Sequence, residues 1–267
     1  MYNFRSLQET SLEQITQCFN SAFSDYEQSI CFTPESFKYY LTASNVDLSL
    51  SYGAFCGEQL VGIILNSSGV YNGQDVVFDA GTGVIPEFRG KKVFSALFDY
   101  TCQQLQQHNI GKYYLEVLQT NHSAVAIYTK KGFRIAREYS VLVATGGQNA
   151  GQVDVTLYAD FAAFSTEYSV APSYEHTTHT VNQNPQLFEV MSLQGRAYCI
   201  YAKRNGEIIQ MHYNDLEGLK QVMSALTDRY PKAMAKNVDY AYADVLQMLQ
   251  EIGFKEFLKQ YEMARDI

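Results

Sequence analysis

Between Val76 and His108 the chain reads as an apolar strand, a basic turn and an amphipathic helix with no spacer between them. Val76 to Ile85 is the strand, and Pro86-Glu87-Phe88-Arg89-Gly90 is the turn. Val93, Phe94, Leu97, Phe98, Thr101, Cys102 and Leu105 then recur at helical spacing. The first turn of any helix leaves backbone N–H groups without partners, and with the helix dipole these suit a phosphate. Gly90 removes a side chain near that surface, while Lys91 and Lys92 add positive charge. Taken alone, a solvated basic turn would look the same.

The rest of the first half surrounds this run with similar elements. Residues 2–6 read as a short strand, and Ser11 to Ser24 as a helix through Leu12, Ile15, Cys18, Phe19, Ala22 and Phe23. Thr33 is an N-cap with Pro34 at the first helical position. Leu50 to Ser67 reads as two strands joined at Cys56-Gly57-Glu58. Downstream, Lys112 to Leu118 is a strand and Ser123 to Lys131 a helix stopped by Gly132. Phe133 to Val143 is the next strand. The composition then shifts at residues 145–151, which read as a linker or long hairpin.

The chain is 267 residues long, more than one typical domain of about 100–150 residues, so one large domain or two modest ones are both open. Its net charge of −8 argues against a broad basic face for nucleic acid and against binding to anionic membranes. There is no run of about 20 apolar residues and no signal-peptide pattern at the start. The five cysteines are widely spaced, with no C-x-x-C pair, and read as reduced thiols of a cytoplasmic protein. His176 and His179 have a spacing seen in metal sites but no nearby Cys or acidic pair, so they read as a surface loop and no metal is expected. Residues 172–185 are polar and loop-like throughout.

Two stretches together, GTGVIPEFRGKKVFSALF (residues 81–98) and LEVLQTNHSAVAIYTKKGF (residues 115–133), resemble the GNAT acetyltransferase superfamily. The resemblance covers residues 1–143 and includes FNSAFSDY and AFCGEQLVGIILN upstream. It implies a mixed α/β fold with a largely antiparallel sheet flanked by helices. It also implies acetyl-CoA as co-substrate. The backbone at Gly83, Val84 and Ile85 would hold the pantetheine arm, in a gap between the strands ending at Ile85 and Leu118. Amides from Gly90 through Lys91, Lys92, Val93, Phe94 and Ser95 would cradle the pyrophosphate, and Arg89 begins that signature. Asn121 would contact the coenzyme, and Tyr128 would protonate the departing thiolate.

The chemistry sets further expectations. An amine attacks a thioester only when neutral, so a base or a proton-conducting water chain is needed. Glu116 and Asp79, each on a strand beside the expected cleft, are the candidates. The Val84 N–H is the natural oxyanion donor. Tyr26 sits in the loop after the first helix and could line the acceptor site. Each has a plainer reading: a paired carboxylate for Glu116 or Asp79, a packed aromatic for Tyr128 or Tyr26, a helix cap for Asn121. The family pattern R-x-x-G-x-G/A is broken here, because Lys92 and Phe94 stand where small residues are usual. A side chain at Lys92 could crowd the phosphates or place an ammonium beside them.

YTKKGFRIAREYSV around Gly132-Phe133 is echoed by LQEIGFKEFLKQYEM around Gly253-Phe254, at an offset of 121. Helix, strand and short helix precede both, the longer helices being Val93–His108 and Leu216–Arg229. Leu249 stands opposite Tyr128 and Tyr242 opposite Asn121, so the second copy lacks the site. The expectation is a GNAT domain at 1–145, a linker at 146–151 and a degenerate GNAT-like domain at 152–267 that could shape the acceptor pocket or form a homodimer. The function expected is transfer of an acetyl group from acetyl-CoA to a primary amine of a small molecule or peptide, through a ternary complex. The alternatives are a non-catalytic acyl-CoA sensor and a scaffold without coenzyme.

Overall fold

The computed structural model describes residues 2–25, 31–147, 153–159, 164 and 168–267. It divides into two compact units, Met1–Leu115 with Ala264–Ile267, and Glu116–Met263.

The first unit begins with β1 (Asn3–Ser6), α1 (Leu12–Ala22), α2 (Pro34–Ala43), β2 (Tyr52–Cys56) and β3 (Gln59–Tyr71). It continues with β4 (Gln74–Val84), α3 (Val93–Gln107) and the first residues of β5 (Lys112–Leu118). Local chemistry explains the helix starts. Ser11 accepts from the Gln14 amide at the head of α1, and Thr33 and Ser36 form a reciprocal capping box beside Pro34 at the head of α2. The stripe read from the sequence of α3 is the face it buries, through Val93, Leu97, Phe98, Thr101 and Leu105. The strands run in the order β1-β2-β3-β4-β5. All neighbours are antiparallel except β4 and β5, which pair in parallel. That last pairing runs from Val76↔Lys112 to Asp79↔Leu115 and stops there.

The second unit contains α4 (His122–Lys130), β6 (Arg134–Ala144), β7 (Thr156–Tyr158), α5 (Thr178–Asn182), β8 (Phe188–Leu193) and β9 (Ala197–Ala202). It ends with β10 (Ile208–Tyr213), α6 (Leu216–Arg229), β11 (Met234–Asp239), α7 (Ala243–Glu251) and β12 (Phe254–Asp266). The strand order is β12-β6-β11-β10-β9-β8-β7. Here too a parallel pair occurs, between β10 and β11. Its core gathers Leu142, Cys199, Leu219, Val222, Met223, Val245, Leu249 and Phe254, all buried.

The faint sequence repeat is a repeat of elements. β4-α3-β5-α4-β6 recurs as β10-α6-β11-α7-β12. The short helices end at glycines with nearly the same left-handed backbone, φ 89° at Gly132 and φ 87° at Gly253, each followed by a buried phenylalanine. The repeat does not partition as two separate sheets, because β6 lies between β12 and β11. The expected linker at 146–151 falls within the span of the second unit, and residues 148–152 lie outside the described ones.

The stretch 172–185 is not the solvated loop its composition suggests. Ser173, Tyr174, His176, Thr180 and Val181 are buried, and α5 forms within it. The polar side chains are satisfied internally: Thr177 caps α5, Thr180 donates to the Tyr174 carbonyl, and Gln210 donates to the His176 carbonyl.

Candidate active site

In the first unit, the edge of β4 has the form expected for a thioester arm. The Ile85 N–H is spent on the Val61 carbonyl of β3. Successive amides of a strand alternate between its edges, so Thr82 and Val84 direct theirs to the opposite edge. There β5 no longer pairs beyond Asp79↔Leu115. Beyond that pair the β5 ladder gives Thr82 and Val84 no partner. Gly83 packs tightly on α1, where an added Cβ would stand 2.7 Å from the Ala22 methyl.

The turn after β4 is an anion-binding concavity by shape. Pro86–Phe88 form one tight turn, and then Gly90 and Lys92 both take left-handed backbone, φ 71° and 61°. Lys92 is the N-cap of α3 and gives it no side-chain cap. Among the described residues, the amides of Gly90, Lys91, Lys92 and Val93 have no partner. Lys92 therefore keeps the backbone shape that a glycine supplies in the family pattern, at a cost of about 1–2 kcal/mol for a side chain in that region. Its side chain is exposed, as is that of Lys91, whose ammonium lies 5.2 Å from the centre of the Phe88 ring. Phe94 is half-buried, 5.7 Å from Phe98, and Ser95 lies in the first turn of α3. A diphosphate fits these residues: open amides, two cations and no side chain at Gly90, where an added Cβ would meet nothing within 4 Å.

Arg89 has a different place from its neighbours. Its guanidinium makes two bonds to Asp25 at 2.5 and 2.9 Å, one to the Ala22 carbonyl at 2.7 Å and one to the Val84 carbonyl at 3.0 Å. It ties the turn and the end of β4 to the end of α1 and holds Asp25 below the usual carboxylate range. Asp79 is similarly occupied, accepting from the Gly81 amide at 2.9 Å and the Thr82 hydroxyl at 2.6 Å. It braces β4 beside the break in register between Leu65 and Asn66. Tyr26 lies outside the described residues.

In the second unit, Asn121 caps α4, accepting from the Ala124 amide at 3.1 Å and the Ser123 hydroxyl at 2.9 Å. Tyr128 is half-buried on the same helix, its ring edge-on to Phe133 at 5.5 Å. Glu116 follows directly on the last β5 residue that pairs with β4, and is surrounded by groups that sequence reasoning did not find. Its Oε2 accepts from Asn237 Nδ2 at 2.7 Å, and Asn237 also reaches the Ser173 hydroxyl at 3.3 Å. Although part of the Glu116 side chain reaches the surface, Oε1 is shielded from solvent and, among the described residues, has no partner. Asn237 Oδ1 is in the same state. Burial pushes Glu116 up to about 8, against the pull of Lys236 and with the help of Glu175.

The neighbouring charges are paired. Lys236 is bound to Glu175, and His176 lies 3.6 Å from Glu207. Burial alone would raise Glu207, but His176 and Lys236 bring it down to about 2. Arg137 forms a two-pronged pair with buried Glu262 at 3.0 Å on each prong, and Tyr139 donates to the same carboxylate at 2.9 Å. Only the second repeat's own numbering hinted at Asn237, since 237 is 116 advanced by the repeat offset of 121. His176, expected on the surface, is 5% exposed because Glu207 and the chain around it provide its partners.

Residues 12–133 match the model of the acetyltransferase (GNAT) family. That segment is a GNAT domain. Members of this family transfer acyl groups from acyl-CoA. Solved structures similar to the whole chain include a putative acetyltransferase from Pyrococcus horikoshii, 11% identical, covering 100% of this chain and 89% of that one with a TM-score of 0.73. A GCN5-related N-acetyltransferase from Sphaerobacter thermophilus is 12% identical, covering 99% and 95% with a TM-score of 0.69. A tandem GNAT protein from the clavulanic acid biosynthesis pathway is 12% identical, covering 100% and 98% with a TM-score of 0.64. At these identities the likeness is one of fold, and the fold is that of a tandem GNAT protein. No curated protein matches the chain. Among the described residues, no helix is long and apolar enough to cross a membrane, and no group of three or more His, Cys, Asp or Glu is placed to hold a metal ion.

Proposed function

We propose that the chain is an N-acetyltransferase that moves an acetyl group from acetyl-CoA to a primary amine of a small molecule or peptide. The observation that carries this reading is Glu116, a carboxyl that burial pushes up to about 8, with one oxygen shielded and, among the described residues, without a donor. A buried acceptor without a donor costs about 1–3 kcal/mol, so such an atom is a place for a donor that the protein itself does not supply. An amine N–H is that donor.

Acetyl-CoA, when bound, supplies the activated acyl group as a thioester. Gly90 to Val93 hold its phosphates through their amides, assisted by Lys91, Lys92 and the first turn of α3. The β4 edge at Gly83 and Val84 holds the arm, and the Val84 N–H meets the negative charge that develops on the carbonyl oxygen. Glu116 takes a proton from the attacking nitrogen as the C–N bond forms. The Tyr128 hydroxyl gives a proton to sulfur as the C–S bond breaks. Binding both reactants together provides much of the acceleration. Asp79 is assigned no proton transfer, because both of its oxygens are engaged. We place the protein in the cytoplasm, on its widely spaced cysteines.

The test is release of free thiol from acetyl-CoA across a panel of primary amines. kcat/KM should rise with pH through about 8, as Glu116 loses its proton, and go on rising until the free amine is itself neutral. Tyr128→Phe should lower kcat by about 100-fold or more while acetyl-CoA still raises the melting temperature. Coenzyme binding without product from any amine would move the assignment to an acyl-CoA sensor.

A further inference from the structure

Glu116 and Asn237 are equivalent positions of the internal repeat, 121 residues apart, and they touch each other through a 2.7 Å hydrogen bond. The two strands that carry them are not alike. β5 runs without a left-handed residue through Glu116, whereas β11 is broken at Lys236–Asn237, where the register with β6 shifts and Asn237 takes φ 59°. Bulges of this kind re-aim side chains and concentrate beside active sites. Here the bulge accompanies an amide that is 3% exposed, has an oxygen without a partner among the described residues, and spends its nitrogen contacts on Glu116 and Ser173.

We propose that Asn237 is a positioning residue of the second repeat, which holds one carboxyl oxygen of Glu116 by hydrogen bond and leaves the other directed to the acceptor amine. The proposal rests on the reading of Glu116 as general base. Where the first copy carries the base, the second carries the group that orients it, so the degenerate half takes part in the chemistry. An amide donor favours the ionised carboxylate, and so partly offsets burial. The other charged groups that act on Glu116 are Lys236, beside Asn237 on β11, Glu175 ahead of α5, and Glu262 on β12, while the Ser173 hydroxyl lies on Asn237. Glu262 is itself held by Arg137 and Tyr139 of β6, and Glu207 acts through Lys236.

The experiment is a carboxyl ¹³C titration by NMR of the full chain, with the Glu116 signal assigned by its loss in Glu116→Gln. Asn237→Gly removes the side chain and suits the left-handed backbone. Asn237→Asp keeps the shape and replaces the donor by a second carboxyl. With the donor gone, the Glu116 midpoint should rise by about one pH unit in Asn237→Gly, equal to about a tenfold loss of kcat/KM at pH 7 with the acetyl-CoA KM unchanged. In Asn237→Asp the two carboxyls should titrate as a coupled pair, with one step higher still. A Glu116 midpoint that stays in place in Asn237→Gly, or in Asn237→Asp should the glycine variant fail to fold, overturns the proposal. A lower melting temperature with no movement of the midpoint would make Asn237 merely structural and overturns it equally. Midpoints that move as described in a protein that acetylates nothing support the Asn237–Glu116 link and sink the enzymatic reading instead.

Discussion

Replacing Glu116 by Gln removes a charge while keeping the volume, and its effect on stability should run opposite in pH to that of an ordinary paired carboxylate. In the folded chain burial pushes this carboxyl up to about 8, against 4.5 for a glutamate in water. Between those values the folded state holds a proton that the unfolded state has lost. Stability contributed by this group is therefore full below pH 4.5, falls as pH rises towards 8, and levels off above that. At about 1.4 kcal/mol per pH unit the span corresponds to about 5 kcal/mol. Glu116→Gln should match the parent chain near pH 5 and exceed it by that amount at pH 9. Urea unfolding at one-unit intervals from pH 5 to 9, with the slope m compared at each, measures the difference directly. Groups common to both chains cancel. Parallel curves for the two chains would refute the argument, since they would mean that Glu116 ionises as freely folded as unfolded.

Lys92→Gly should leave stability within about 1 kcal/mol, because the backbone is already left-handed and the gain in ease offsets the added freedom of the unfolded chain. Acetyl-CoA affinity should fall several-fold at low salt and less at high salt, as the lost charge dictates; tighter binding by calorimetry would mean that the side chain crowds the phosphates. Arg137→Met should cost about 3–5 kcal/mol in chemical unfolding, because it leaves Glu262, 2% exposed, without its cation. The double change with Glu262→Leu should recover much of that loss, and no recovery would count against a buried ion pair as the cause.

What could be read in advance followed local rules. The cap at Thr33, the buried stripe of α3 and the glycine stop at Gly132 are each set within a few residues, and the structure has them. The order of elements in the second copy was legible for the same reason. The surroundings of Glu116 were not, because they come from chain segments 57 to 146 residues away, Ser173 and Glu262 among them, and no local period reports such contacts. Residues 172–185 misled because polar composition signals solvent only when the hydrogen bonds go to water, and here they go to Gln210 and to the segment itself. Arg89 was legible as part of a signature, but its partners Asp25, Ala22 and Val84 needed the fold to appear.

The position of β6 bears on how this polypeptide can be divided. Severing the chain near residue 145 would seem to free a complete acyltransferase, yet it would strip residues 134–144 of both hydrogen-bonded neighbours at once. A strand bared along its two edges is a template for aggregation. The amino-terminal fragment should accordingly be insoluble by itself, and recover only when the remaining residues are produced alongside it.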